Sequence, residues 1–339
     1  MTVAVRAAGV DTWSPAWRVT SSSTAGGMLD ELCTVPTKLG FMAEQAVDGH
    51  RVIWSAQHGL LWAEGHPPGA GGDLLSPELL PQALGLLTGS MLEAGYPLPN
   101  GISQDFWDGV GPGTVAWDGF AGIRRLDSTV DLQFDSAAEG LAVLAGVAAL
   151  TSQPGANKGE VITGSDGRIE TVYVLGHGGR TKLGRWYDKG VESGDAPRGR
   201  LIRPEDQRRF VKGTRRAPEE LTSTYVRSMF QRRFMPLWQA SKGVTVAGPI
   251  VLAQKILDAI EDETVTPEMG EKLAGHLLLS AAAGRSGAGV SRSTRYRREL
   301  AIRELGLVPA DGALEEIEVR LEDVLDVVMD ASAWAPNQG

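Results

Sequence analysis

Apolar and polar positions alternate with period two in some stretches of the chain and recur with helical period in others. The first alternating stretch is 8–20, AGVDTWSPAWRVT, where Trp13, Trp17 and Val19 share one face and Asp11 lies near the start; strand side chains point to opposite faces in turn. Residues 50–55 and 60–64 read as the arms of a hairpin turned by AQHG, with Gly59 at the bend. The segment 121–134, AGIRRLDSTVDLQF, reads as a buried strand through Ile123, Leu126, Val130, Leu132 and Phe134. An edge strand is expected at 160–162. The segments TVYVL (171–175) and KLGRWYDKG (182–190) then flank a turn holding Gly176, Gly178 and Gly179. Residues 201–210 continue as a strand that Pro204 confines to an edge or a bulge. Helical spacing appears at 76–95, with Ser76 as N-cap and Leu80, Leu84, Leu87 and Met91 inward. It appears again at 137–150 and at 218–240, where Tyr225, Met229, Phe230 and Trp238 form the expected buried side. Residues 21–27 read as a turn, 29–45 as a mixed segment with a short helix, and 97–113 as a loop. This order predicts an α+β fold, an antiparallel-rich sheet with helices on one face.

From 243 the pattern turns helical, so the chain divides into a domain over 1–242 and a smaller all-α domain over 243–339. Helices are expected at 249–261, 267–283 and 290–307. The last, VSRSTRYRRELAIRELGL, has Ser291 or Ser293 as cap and Tyr296, Leu300, Ile302 and Leu305 as its apolar side. A helix, a glycine turn and a helix with arginines near its start is the helix-turn-helix outline; a basic solvent-facing helix is the other reading. Residues 313–330 are acidic and amphipathic. They can pack on the helical domain, mediate a dimer or shield a basic surface.

Composition narrows the function classes. The net charge of −9 does not mark a nucleic-acid binder. Residues 180–233, however, hold 15 Lys and Arg against 7 Asp and Glu, a local +8 that leaves −17 for the rest. One anion-facing surface on an acidic body is expected. The single cysteine, Cys33, excludes an internal disulfide and suits the cytoplasm. No apolar run approaches the ~20 residues that span a bilayer, and the start of the chain has no signal-peptide pattern. The five histidines form no His-x-His or HExxH pair, and neither a P-loop nor a dinucleotide fingerprint is present.

Two groups of residues carry candidate chemistry. Arg185, Tyr187 and Lys189 alternate on one strand face, a phenol between two cations that is poised to ionise or to attack an anionic ester. A surface hairpin with a packed tyrosine is the other reading. Asp127 and Asp131 share a strand face, where like charges repel unless a cation intervenes. Either a divalent metal or salt bridges to Arg124, Arg125 or other basic side chains would relieve that.

Taken together, the stretches TVYVLGHGGRTKLGRWYDKGVE, GIRRLDSTVDLQF, GVDTW and VSRSTRYRRELAIRELGL resemble the replication initiators of filamentous phages and related plasmids, the gene II/X type. More distantly they resemble the plasmid replication-initiation-factor relaxases. The shared features are Tyr187, Lys189, Gly190 and Glu192 in a Tyr-x-Lys-Gly-x-Glu run, and Arg125, Asp127 and Asp131 upstream. Arg203-Pro204-Glu205 departs from the family's more regular Arg-x-Glu strand. The resemblance implies a relaxase-like or rolling-circle-initiator-like domain over 1–242. That domain would nick origin DNA through Tyr187, forming a 5′-phosphotyrosine link and freeing a 3′-OH. Lys189 and Arg185 would neutralise charge. Mg²⁺ or Mn²⁺ would be held by Asp127 and Asp131 with Glu192 or Glu205. Arg180, Lys182, Arg203, Arg208 and Arg209 would grip the DNA backbone, and Arg292, Arg295, Arg297 and Arg298 would read duplex. The implied partners are origin DNA, as a single-stranded or cruciform nick site plus duplex, and host helicase and polymerase. Tyr173 is the rival nucleophile. A non-catalytic DNA-binding regulator and a conjugative relaxase are the alternative functions.

Overall fold

The structure is a computed structural model that describes residues 3–19, 24–69, 74–98, 119–151, 159–165, 167–175, 182–194, 196–211, 213–287, 290–310, 317–330 and 334. The period-two stretches all become strands. The first part of the chain runs β1 (Val3–Arg18), α1 (Thr24–Leu32), β2 (Cys33–Pro36), β3 (Phe41–Ala43), β4 (Arg51–Ser55), β5 (Leu60–Glu64) and α2 (Leu80–Glu93). The second runs β6 (Phe120–Phe134), α3 (Ala137–Thr151), β7 (Glu160–Thr163), β8 (Ile169–Leu175), β9 (Lys182–Asp188), α4 (Lys189–Ser193), β10 (Leu201–Arg209) and α5 (Ser223–Ala240). The third runs β11 (Thr245–Ala247), α6 (Pro249–Glu261), α7 (Pro267–Gly287), α8 (Arg292–Glu304), β12 (Leu307–Pro309), β13 (Glu318–Arg320) and α9 (Leu321–Met329).

Ten strands form one antiparallel sheet in the order β2-β3-β4-β5-β1-β6-β10-β9-β8-β7. That order reads the same way outward from its middle. Among the described residues each half is a long strand, a helix, four strands and a closing helix, with the short α4 added in the second. The halves meet back to back along the β1·β6 ladder, which runs from Val3↔Phe134 to Trp17↔Phe120. An antiparallel ladder between two like strands is two-fold by construction, so the sheet is a pseudo-symmetric repeat.

Helices α3 and α5 cover one face of the second half. Under them lie Leu126, Val130, Leu132, Val172, Trp186 and Ile202, all at 0–1% exposure. Arg233 of α5 reaches through this layer to Asp206 of β10, Nε to Oδ1 at 2.9 Å. It crosses Gly184 of β9, where a Cβ would meet the Arg233 Cδ at 2.9 Å. Of the residues expected inside α5, Met229 and Phe230 are buried. Val226, Phe234 and Leu237 complete that side, while Tyr225 and Trp238 are only half-buried.

Three expectations are corrected. Strand β10 is interior, between β6 and β9, despite Pro204. Its ladder to β6 passes from Ile202↔Leu132 to Glu205↔Thr129, leaving Arg203 and Pro204 unpaired on that side. The missing proline N–H therefore falls in a gap. The region past 243 is not all-α, since β12-β11-β13 form a three-stranded sheet. Nor does that region make a core wholly its own: Val246, Val308, Val319, Leu321, Val324, Leu325 and Val328 join the main core, while α6, α7 and α8 share a second, smaller one. The acidic tail thus packs on the sheet domain through α9. Finally, Tyr296 and Leu300 of α8 are exposed, and Ile302 alone is buried on that helix. No described helix is long and apolar enough to cross a membrane.

Candidate active site

On the sheet face away from α3 and α5, strands β6, β10 and β9 bring polar side chains into register. Gln207 lies opposite Asp127, and Glu205 opposite Thr129 and Arg185. Arg203 lies opposite Tyr187. The period-two rule places Asp127 and Asp131 on this one face, as expected, and Arg125 and Thr129 join them. From β1 comes Asp11. Val10 pairs with Ser128 and Thr12 with Asp127, so Asp11 is the extra residue of a bulge, and bulges re-aim side chains.

The result is a lattice of arginine–carboxylate pairs around one phenol. Arg185 holds Glu205 with two bonds, Nε to Oε1 at 2.9 Å and Nη2 to Oε2 at 2.8 Å. The same Glu205 Oε2 accepts from the Tyr187 hydroxyl at 3.2 Å. The guanidinium of Arg185 also lies over the Tyr187 ring, 4.3 Å from its centroid. Arg203 donates to Asp131 Oδ2 at 2.9 Å and to Asp11 Oδ1 at 2.6 Å. Arg125 donates to Asp127 Oδ1 at 3.0 Å and bridges to Glu64 of β5. The lattice is interior: Glu205 is 0% exposed, Asp127 1%, Tyr187 3% and Arg203 5%.

Burial decides the protonation states. The Tyr187 phenol is pushed far above its ordinary value by burial first and the Glu205 charge second, against the pull of Arg203 and Arg185. Cationic flanks therefore do not leave a resting phenolate, which corrects the expectation from Arg185 and Lys189. Burial pushes Asp127 up to about 7; hydrogen bonds from Arg125 oppose this and the charge of Glu205 adds to it.

The remaining site residues separate into groups. Lys189 and Glu192 pair with each other on α4, Nζ to Oε2 at 2.6 Å. Glu192 is still near enough for its charge to raise Tyr187 and Arg185. Tyr173 of β8 lies opposite Arg185 and is half-buried. Of the expected DNA-binding residues, Arg203 is internal to the lattice. Arg208 points to the helix-covered face, donating to Asp206 Oδ2 at 3.2 Å. Arg209 is exposed at the end of β10. Arg180 lies outside the described residues, and Lys182 is placed by its backbone opposite Arg208. On α8, Arg292 and Arg297 are exposed and Arg295 and Arg298 half-buried. Sequence reading missed Glu64 and Gln207 as lattice members, and it gave Asp11 no role.

The expected metal ligands Asp127, Asp131 and Glu205 are each bonded to an arginine, while Glu192 is paired with Lys189. Among the described residues no three His, Cys, Asp or Glu side chains gather to hold a cation. The buried Thr129 hydroxyl opposite Glu205 has no partner, but one neutral oxygen does not offset three arginine-paired carboxylates. As arranged, the donor set does not fit a resident Mg²⁺ or Mn²⁺.

No protein-family model matches the chain, and no curated protein matches it. Among solved structures it is similar to one titled "Structure of Rolling Circle Replication Initiator Protein from Geobacillus stearothermophilus". The match has 14% identity, covers 63% of this chain and 77% of that one, and has a TM-score of 0.30. A likeness that slight carries no argument.

Proposed function

We propose that the chain is a DNA-nicking replication initiator whose nucleophile is Tyr187. The observation that carries this reading is the Tyr187 hydroxyl donating to Glu205 between the guanidinium groups of Arg185 and Arg203. A neutral phenol needs a base at the moment of attack, and Glu205 is within hydrogen-bond reach of its proton. In the step, the phenol proton passes to Glu205 as the Oη–P bond forms. The P–O3′ bond breaks, and the 3′ oxygen leaves as a hydroxyl with a proton from solvent. Arg185 and Arg203 neutralise the charge that develops on the phosphate. Arg185, with a quarter of its side chain exposed, lies over the ring, and its movement onto an incoming phosphate would uncover the phenol. The exposed arginines of α8 would hold flanking duplex through its backbone. The same chemistry serves a conjugative relaxase.

The test is a single-stranded oligonucleotide set covering the DNA around the protein's own coding sequence, run on a denaturing gel. Wild type should give a cleaved 3′-OH fragment and a protein-linked 5′ fragment. Tyr187→Phe should give neither, and an adduct with that variant would refute the assignment. The deep burial of Tyr187 and the pairing of every lattice charge favour a second reading, a DNA-binding protein with a structural ion lattice. Binding without cleavage of any oligonucleotide would establish that one.

A further inference from the structure

Far along the same sheet face lies a cavity of 490 Å³ that the tyrosine site does not use. Arg18, Arg124 and Arg215 line it together with an apolar wall of Leu39, Leu60 and Trp62, and the Arg124 guanidinium lies over the Trp62 ring, 4.1 Å from its centroid. Arg124 and Asp131 are seven residues apart on β6, so the cavity is ~23 Å from the tyrosine end of the lattice. Leu60, Trp62 and Glu64 alternate on β5, which puts the wall on the face that Glu64 shares with Arg125.

Among the described residues, the three arginines are brought together without acids to match. Among the described residues none of them has an ion pair. Among the described residues, the carboxylate acting on Arg124 is Glu64, already bonded to Arg125 and to Arg51. Arg215 and Arg124 are both pushed below the ordinary arginine value. For Arg215 the causes are burial and then Arg18; for Arg124 they are burial and then Arg215. Two buried donors there lack acceptors, Trp62 Nε1 and Arg215 Nε, with Trp62 only 2% exposed. The backbone is shaped to hold this arrangement. Gly122, at φ 91°, lets the 213–216 segment lie against β6, where a Cβ would meet the Arg215 Cβ at 2.8 Å. Repelling cations, orphaned donors and a glycine-dependent close approach all cost stability, and an anion relieves the first two.

We propose that this pocket binds a nucleotide, its phosphate held by Arg18, Arg124 and Arg215 and its base against Leu39 and Leu60. The volume lies in the range of small-ligand sites, ~300–1,000 Å³, and exceeds what a phosphate alone needs. The nucleotide is either free or part of a DNA strand laid along the sheet face. The assignment does not depend on cleavage at Tyr187.

The test is binding of dTMP, inorganic phosphate and a ten-thymidine oligonucleotide to the full chain by calorimetry, with thermal melts alongside. Arg215→Gln and Arg18→Gln should each weaken the nucleotide probe about tenfold or more, the loss of one charge-assisted hydrogen bond. Neither should lower Tm, because each removes a repelling charge; an arginine placed for structure would show the reverse. Weakening of both dTMP and the oligonucleotide identifies a free-nucleotide pocket, and weakening of the oligonucleotide alone identifies a strand subsite. Unchanged binding of both probes, a lowered Tm in both variants, or phosphate binding as tightly as dTMP would overturn the proposal.

Discussion

Asp127→Asn replaces the buried carboxyl that Arg125 holds on β6 with a neutral amide of the same size. The wild-type group is 1% exposed and titrates at about 7 instead of 3.8. Between those values the folded chain binds more protons than the unfolded one. The stability contribution is therefore fully present below 3.8 and is lost as pH rises through about 7. At about 1.4 kcal/mol per unit, the whole window is worth ~4 kcal/mol, of which ~3 kcal/mol falls between about pH 5 and about pH 8. Asparagine has no such titration. The stability of the variant relative to wild type should thus rise by ~3 kcal/mol over that range. Urea unfolding followed by tryptophan fluorescence at both pH values measures the difference. A gap that moves by less than ~1 kcal/mol would refute the reasoning; it would mean that Arg125 keeps Asp127 ionised and that the lattice is a set of plain salt bridges. Because Glu205 helps to raise Asp127, the titration belongs to an interacting set. Glu205→Gln should accordingly move the midpoint down.

The other expectations concern separate parts of the fold. Asp206→Ala leaves buried Arg233 without its carboxylate and should cost ~3–5 kcal/mol; denaturant unfolding checks it, and a loss below ~1 kcal/mol would show that Arg233 finds another partner. Arg292→Ala and Arg297→Ala should each lower the salt slope of duplex binding by about one while leaving Tm unchanged. An unaltered slope in fluorescence anisotropy would take α8 off the DNA surface. Manganese titration of the free protein, read by electron paramagnetic resonance, should show no saturable site, because Asp127, Asp131 and Glu205 are held by arginines. A stoichiometric site lost in Asp127→Asn would restore the metal reading.

Period two carried most of the fold into view. Strands β1, β4, β5, β6, β8, β9 and β10 have enough residues for alternation to show, and the same alternation placed Asp127 with Asp131 and Arg185 with Tyr187 on shared faces, while Lys189, expected beside Tyr187, opens α4 instead. The strands of β11, β12 and β13 have three residues each, too few for any period, and were absorbed into an all-helical expectation. The misplacement of β10 came from treating Pro204 as a ladder defect, when the ladder simply lacks a rung there. Choosing between a metal and an arginine beside each carboxylate was beyond local pattern. Arg203 finds Asp11 across 192 residues of chain, and Arg125 finds Glu64 across 61. The tyrosine was legible as a residue and misjudged as a state: flanking cations are visible in sequence, whereas burial, the larger effect, is a property of the whole sheet.

The most direct measurement is the identity of the residue that becomes linked to DNA. Wild-type protein is incubated with the single-stranded region around its own coding sequence and digested, and the nucleotide-bearing peptide is sequenced by tandem mass spectrometry. A phosphodiester-linked nucleotide on Tyr187 is expected, abolished in Tyr187→Phe and strongly reduced in Glu205→Gln. An adduct on Tyr173, or the same yield of adduct without Glu205, would contradict it.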